Sequence, residues 1–467
     1  VETFEQAKTF GSLIQISGKL AGALPELRRE LEAVRDGGDM LGRDAAETLL
    51  RLVAQAEVLA KQFDAVVANP PYMGSGYFNS LLKKWASKQY KTTRSDIYAI
   101  FIERYLRQLK SSGGLSFVTR QDWMFTKSFV HVRELVRENH TLTDLVQLGS
   151  GAFEFLTGEV TQAAAFSILG CSDENYFSTF VDCRTKAGKE EAFFNAENRF
   201  VRPLNQFPRK LGSPLLYYLE TEELNALSLP DSLSDFYTLR EGIHTGDNGE
   251  FVRNWWEVSG EGISFDSASL EQFDTSKARW APYNKGGCTY PWYWGTDFIV
   301  RFDPLTRERM SKIKGHVRPS QSLYFKEGGT WSDVATKGFG VRYFQAGHLF
   351  DGAGPVVVCD DIYEALARMN SLPFVRLAED VMPNLHFKCG TLQMMPHSPV
   401  SKPSEAAALA KSAVRILKAQ ASTSENQIGF KSPKLHGRSN FIRDEFNRYL
   451  EDVKNSIADL FDIELNN

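Results

Sequence analysis

The sequence predicts an α/β protein: a helical segment, then alternating strands and helices, then a mixed aromatic-rich region and a helical tail. Three observations carry that reading. Apolar residues recur at helical spacing over residues 24–59; short apolar runs then alternate with helical stretches to about residue 172; beyond that the rhythm breaks into short runs rich in Gly, Trp and Tyr.

Leu24, Leu27, Leu31 and Val34 form one helical face, and after the breaker Asp36-Gly37-Gly38-Asp39 a second runs through Leu49, Leu52, Val53, Ala56 and Leu59, which predicts an antiparallel helix pair. Phe63–Ala68 reads as a buried parallel strand, stopped by Asn69-Pro70-Pro71-Tyr72. Apolar spacing predicts a helix from Asp96 to Leu109, and Gly113-Gly114 releases the chain into a strand over Leu115–Thr119. A helix from about Val130 to Glu138 leads to strands at Leu145–Leu148 and Ala163–Leu169. The alternation implies a parallel sheet with an extra late strand, open to an antiparallel hairpin partner. Helical patterns return over Ala406–Ala419 and through Phe441, Phe446, Leu450, Val453, Ile457 and Leu460. The expected divisions are a helical segment at 1–62, a strand-and-helix portion at 63–172, a connector at 173–240, a mixed domain at 241–400 and the tail at 401–467.

At 467 residues the chain is long enough for about three structural units on a prior of roughly 150 residues each. Lys plus Arg total 54 against 58 Asp plus Glu, so any polyanion site must be local. The five cysteines include no C-x-x-C pair, which excludes a zinc ribbon and points to a reducing, cytoplasmic setting. His386 and Cys389 are too few to make a metal site, and none is expected. No apolar run approaches the roughly 20 residues that span a bilayer, so no membrane partner is expected.

The sharpest signal is Asn69-Pro70-Pro71-Tyr72 at the end of an apolar strand. A loop stiffened by two prolines at the C-terminal edge of a sheet can hold polar acceptors facing a ligand crevice. The Asn69 side-chain oxygen and the Pro70 carbonyl can together accept both hydrogens of an amino group whose lone pair is delocalised into a ring, favouring a lone pair directed at an electrophilic methyl group. Tyr72 can lay its ring on a planar base, a contact worth about 1–3 kcal/mol.

With these residues the sequence resembles the S-adenosylmethionine-dependent adenine-specific DNA methyltransferases of the bacteriophage-exclusion (BREX, PglX) and type IIG restriction-modification kinds. The resemblance covers FDAVVANPPYMG (63–74), DIYAIFIERYLRQL (96–109), GGLSFVTRQDWMF (113–125) and GSGAFEFLTGEV (149–160). It implies the C-terminal part of a Rossmann-like class I methyltransferase domain, followed by a mixed α+β target recognition domain and a helical tail. It further implies that Asn69, Pro70, Pro71 and Tyr72 are catalytic, that Phe101 lines the adenine pocket of S-adenosylmethionine, and that Phe153 packs with Tyr72 on a flipped adenine. Ordinary core packing accounts equally well for Phe101 and Phe153.

The family's Gly-rich cofactor loop is absent from residues 1–62, and the sequence begins with Val1. The chain is therefore expected to be the C-terminal part of a larger enzyme, to bind cofactor poorly alone and to need an N-terminal methyltransferase portion as partner. PYNKGG (282–287) and the aromatic signatures of 241–347 resemble the family's recognition domain; after about residue 420 the match weakens, lacking a Trp the family often carries.

Two local basic excesses suit phosphate contacts to double-stranded DNA: eleven basic against three acidic residues over 83–133, and nine against four over 301–342. Of these, Arg301, Arg307, Arg309, Lys312, Lys314 and Arg318 are the expected DNA-facing residues. The expected function is site-specific adenine N6 methylation of DNA in phage defence or restriction-modification, with defence-system proteins as further partners. Two alternatives stand: a non-catalytic DNA-recognition fragment, and methylation of RNA or of a protein amide, since the same loop can hold any planar amino group.

Overall fold

The computed structural model describes residues 2–153, 162–185, 188–382, 386–398, 400–424 and 426–428, with isolated positions beyond 450; most of the expected tail lies outside them. The chain divides into two compact units, Val1–Leu219 and Glu220–Asn467.

The first unit opens with the helix pair α1 (Gly18–Gly37) and α2 (Met40–Ala60), each started by a side chain that caps its free N–H groups: Ser17 accepts from Leu20 and Asp39 from Gly42. Leu24, Val53 and Ala56 form their shared core, and Arg28 clasps Glu57 through two parallel bonds. Strand β1 (Phe63–Ala68) follows, then helices α3 (Ser80–Gln89) and α4 (Ile97–Leu106), strand β2 (Leu109–Arg120), helix α5 (Val130–Asn139), and strands β3 (Thr141–Gly149), β4 (Ala163–Leu169), β5 (Phe177–Asp182) and β6 (Arg199–Pro203).

These six strands form one sheet in the order β1-β2-β4-β3-β5-β6. β1 pairs parallel with β2, and β3 with β5; β4 runs antiparallel to both of its neighbours, and β6 to β5. The sheet is thus mixed rather than parallel with one late partner. It also continues through β5 and β6, into the stretch read from sequence as a connector.

β1 pairs in parallel as its sequence predicts, yet it is not a buried strand. It is the sheet's edge, since among the described residues no strand pairs with its outer side, and Val67 is 82% exposed. β2 starts before the two glycines rather than after them. The register with β1 shifts between Phe63 and Ala65, and a Cβ on Gly113 would stand 2.8 Å from the Phe63 carbonyl oxygen, so the close approach there requires glycine.

The second unit holds a five-stranded and a four-stranded sheet with strands two to five residues long, packed on aromatics that include Phe251, Phe273, Tyr283, Phe302 and Phe350. Helices Ile362–Asn370, Leu372–Val381 and Pro403–Ala421 complete it. Most aromatics of 241–347 are core, Trp331 and Trp292 among them, whereas Trp256 and Trp294 are about half exposed (51% and 44%). Among the described residues no helix is long and apolar enough to cross a membrane.

Burial shifts two groups in this unit in opposite directions. Burial pushes the His348 imidazole down to about 4 and the Asp297 carboxyl up to about 6. His348 contributes stability above its ordinary value of 6.5, lost as pH falls through about 4; Asp297 contributes stability below the ordinary carboxylate range, lost as pH rises through about 6. Their slopes oppose between these values. On acidification from neutral pH toward about 4.5, His348→Phe should therefore gain stability relative to Asp297→Asn in urea unfolding; parallel curves for the two variants would contradict the opposed titrations.

Candidate functional site

The loop after β1 lies at the C-terminal end of its strand, where parallel pairing with β2 ends at Ala68. Asn69 is exposed and Pro70 buried, and no described residue donates a hydrogen bond to the Asn69 side chain or to the Pro70 carbonyl. The Asn69 side chain is open to a ligand, and the Pro70 carbonyl is unengaged by any described residue.

What fixes this corner is Asp96, 5% exposed at the start of α4. One of its carboxylate oxygens accepts from the Met73 N–H at 3.1 Å and from the Tyr98 N–H at 3.3 Å, so one group caps the helix and ties down the loop. Two backbone bonds complete the seam: Ser75 N–H to the Ser95 carbonyl at 2.9 Å, and Ile97 N–H to the Met73 carbonyl at 3.1 Å. Burial raises the Asp96 carboxyl above its usual range, against the two N–H bonds that lower it.

Tyr72 is half-buried and donates its hydroxyl to the Val118 carbonyl at 3.3 Å, which orients the ring; burial pushes the phenol up to about 12, so it stays protonated at physiological pH. Its ring lies 6.4 Å from that of Phe153, tilted by 56°, and 6.3 Å edge-on from Tyr98. The structure therefore brings Asn69, Pro70, Pro71, Tyr72 and Phe153 into one corner. The segment that follows Phe153, residues 154–161, lies outside the described residues. Phe101 is half-buried; it packs, as does Met73, against the cluster that holds Leu82, Tyr90 and Ile100.

At the C-terminal ends of β2 and β3, the same end of the sheet as the loop after β1, runs a chain of side-chain hydrogen bonds that no motif announces. The Tyr217 hydroxyl donates to Gln147 at 2.6 Å, Gln147 donates to Gln121 at 2.9 Å, and Gln121 donates to Gln162. It ties β3 to the segment after β2 and to the start of β4. Asp96 and this chain were not singled out in the sequence: a helix-capping Asp was legible at position 96, but its second partner, 23 residues earlier, was not.

The expected DNA-facing residues of the second unit lie around the helix Pro304–Ser311, and four of the six are already paired. Arg307 forks onto Asp274 at 2.7 and 2.8 Å and lies over the Phe302 ring; Arg301 meets Asp303, Arg309 meets Glu250 and Lys312 meets Glu308. Lys314 and Arg318 enter no ion pair with a described residue.

Residues 34–153 match the family model described as Eco57I restriction-modification methylase. Over 442 residues the chain is 34% identical to the adenine-specific methyltransferase BrxX of Escherichia coli O9:H4 (strain HS), covering 92% of this chain and 35% of that protein. Over 424 residues it is 30% identical to the adenine-specific methyltransferase PglX of Lacticaseibacillus casei (strain Zhang), covering 85% and 35%. The chain thus spans about a third of the length of these relatives. A solved structure of the Type IIL restriction-modification enzyme MmeI in complex with DNA shares the fold at a TM-score of 0.50 and 10% identity, over 86% of this chain and 58% of that one.

Replacing Asp96 by Ala should cost about 0.5–2 kcal/mol, as for other lost helix caps, and should speed hydrogen exchange at Met73 and Ser75. Unchanged protection at Met73 would show that the loop is held by something else.

Proposed function

Since the chain is a homologue of adenine-specific methyltransferases over most of its length, we propose that it carries the target-base corner and the DNA-recognition part of a DNA adenine N6 methyltransferase, serving BREX-type defence or restriction-modification in the bacterial cytoplasm. The observation that carries the reading is the corner itself: two unengaged acceptors, Asn69 and the Pro70 carbonyl, beside the Tyr72 and Phe153 rings and fixed by Asp96.

In this reading the adenine leaves the duplex, at a cost of a few kcal/mol, and lies against Tyr72 and Phe153. The Asn69 oxygen and the Pro70 carbonyl accept its two amino hydrogens, which turns the N6 lone pair out of conjugation and toward the incoming methyl group. No acid or base with a strongly shifted pKa is needed to make that nitrogen nucleophilic. The Val118 carbonyl and the Tyr98 edge keep the Tyr72 ring in place while the base enters.

S-adenosylmethionine is the methyl donor we propose, supplying an electrophilic methyl group. The residues described here fit it on one side only. Phe101 and the backbone of the corner offer one wall, whereas among the described residues no strand pairs with the outer side of β1, and residues 2–62 fold as helices with no Gly-rich strand-to-helix turn. The unpaired outer edge of β1 suits pairing with a strand from a methyltransferase portion outside these residues, in keeping with relatives about three times as long. The adenine base would stack here; the cofactor's other wall would come from that partner. Defence-system proteins are expected to join the assembly.

The test is transfer of labelled methyl groups to duplex DNA by the chain supplied with the upstream portion of its own coding region, with the product nucleoside identified by mass spectrometry. N6-methyladenine should form, and Asn69→Ala should slow it by roughly 100-fold or more, the scale for one transition-state hydrogen bond. Tyr72→Ala should weaken base binding by about 1–3 kcal/mol. Full activity in Asn69→Ala, or label in RNA or protein instead of DNA, would overturn the assignment.

A further inference from the structure

Helix α3 and the turn after it carry a charge pattern that the fold does not explain. From Ala65 to Ser95 the sequence contains no Asp or Glu, yet it contains Lys83, Lys84, Lys88, Lys91 and Arg94. All five are exposed, and none enters an ion pair with a described residue. Basic residues nearby behave otherwise. Arg104 donates to the Ile14 and Leu59 carbonyls, Arg107 pairs with Glu103, Lys110 with Asp64 and Arg120 with Asp122, and Arg133 donates to the Trp123 and Gly212 carbonyls. The basic excess of 83–133 therefore separates into residues that hold the fold together, the exposed Lys127 by itself, and five cations grouped on one short segment, none of these six in an ion pair with a described residue.

The inner face of α3 is ordinary. Leu82 and Ala86 are buried with Phe78 and Tyr90, and Trp85 stacks on Phe10 at 4.5 Å. Its outer face works against the helix: Lys84 and Lys88 stand one turn apart with like charge, and Lys83 and Lys84 lie toward the helix N-terminus, where the macrodipole disfavours cations. The apolar face is already covered, so α3 cannot insert that face into a lipid surface. A polyanion is the partner that relieves the repulsion.

Its place in the fold identifies the polyanion. The chain enters α3 from the Gly74–Asn79 segment and returns to the same loop at Ser95–Ile97, where Ser75, Met73 and Asp96 stitch the two together. The cations are thus anchored at both ends to the corner that bears Asn69 and Tyr72. A ten-residue helix is about 15 Å long, enough to meet several phosphates spaced about 3.4 Å along the axis of one DNA strand.

We propose that α3 and the turn after it, through Lys83, Lys84, Lys88, Lys91 and Arg94, grip the phosphate backbone of duplex DNA beside the target adenine. The proposal rests on the adenine-methylation reading and names where the first unit holds its substrate. It moves the main phosphate contact away from the largely self-paired residues 301–318.

The experiment is fluorescence anisotropy of a labelled random-sequence duplex across about 50–200 mM salt, with the full chain, its Lys83→Gln/Lys84→Gln/Lys88→Gln variant, and its Lys314→Gln/Arg318→Gln variant, each checked for native melting. The slope of log affinity against log salt should shrink by about 0.9 for each lysine that meets a phosphate, hence by about 2.7 in the triple variant. A wild-type slope in the triple variant overturns the α3 grip while leaving DNA binding intact; a loss confined to the Lys314/Arg318 variant does the same and moves the contact to the second unit. Failure of the wild-type chain to bind duplex at the lowest salt would overturn both the grip and the DNA reading beneath it.

Discussion

One buried carboxyl group, that of Asp96, sets the geometry on which the candidate chemistry depends. A carboxylate taken from water loses solvation, and Asp96 is compensated by N–H groups from two directions, its own helix and the loop after β1. The loop cannot drift without leaving that oxygen under-satisfied, so a helix cap also becomes a loop clamp. The prolines at 70 and 71 remove backbone freedom from the corner before folding, and the Asp96 seam fixes where the corner points. Acceptors held this way need not reorganise when an amino group arrives, which is the condition under which hydrogen-bond acceptors assist a reaction.

The sequence displayed some of this and concealed the rest, for physical reasons. Phe63–Ala68 was legible as a strand because its residues, Asp64 apart, are apolar and a proline pair ends the run; α4 was legible from its apolar spacing, with Asp96 in the capping position. Whether β1 was central or at an edge was not legible, since an apolar run reads the same in both places and only the partner strand decides. The insertion of β4 between β2 and β3 was open for a similar reason: pairing order depends on contacts that local pattern does not encode. At the site, Tyr72 and Phe153 were each named from resemblance, but their 6.4 Å approach is a tertiary fact spanning more than eighty residues.

Charge was the property most easily misread. A count along the sequence treats Arg307 and Lys88 alike, yet Arg307 is locked in a fork with Asp274, 33 residues away, whereas Lys88 faces water. A guanidinium paired at both nitrogens and stacked over a ring has little left to offer a phosphate. Local excess therefore marks where cations are concentrated, and the fold decides which of them are spoken for. Over residues 83–133 that decision leaves five of the six cations that pair with no described residue on the one segment stitched to the corner.

This coincidence has a structural logic. An enzyme that takes a base out of a duplex must hold the flanking backbone and the extruded base in fixed relation, or the base will enter its pocket in the wrong register. Placing backbone contacts and base contacts on separate mobile elements would leave that relation to chance. In the proposed reading the backbone contacts and the Asn69 and Tyr72 side of the base pocket lie on one excursion of the chain, from Asn69 through α3 to Ile97, closed at its two ends by the Asp96 carboxyl and the Ser75–Ser95 and Ile97–Met73 backbone bonds. The loop's length would supply reach along the strand and its closure rigidity, so that in this reading position along the DNA and position in the pocket are set by the same few hydrogen bonds.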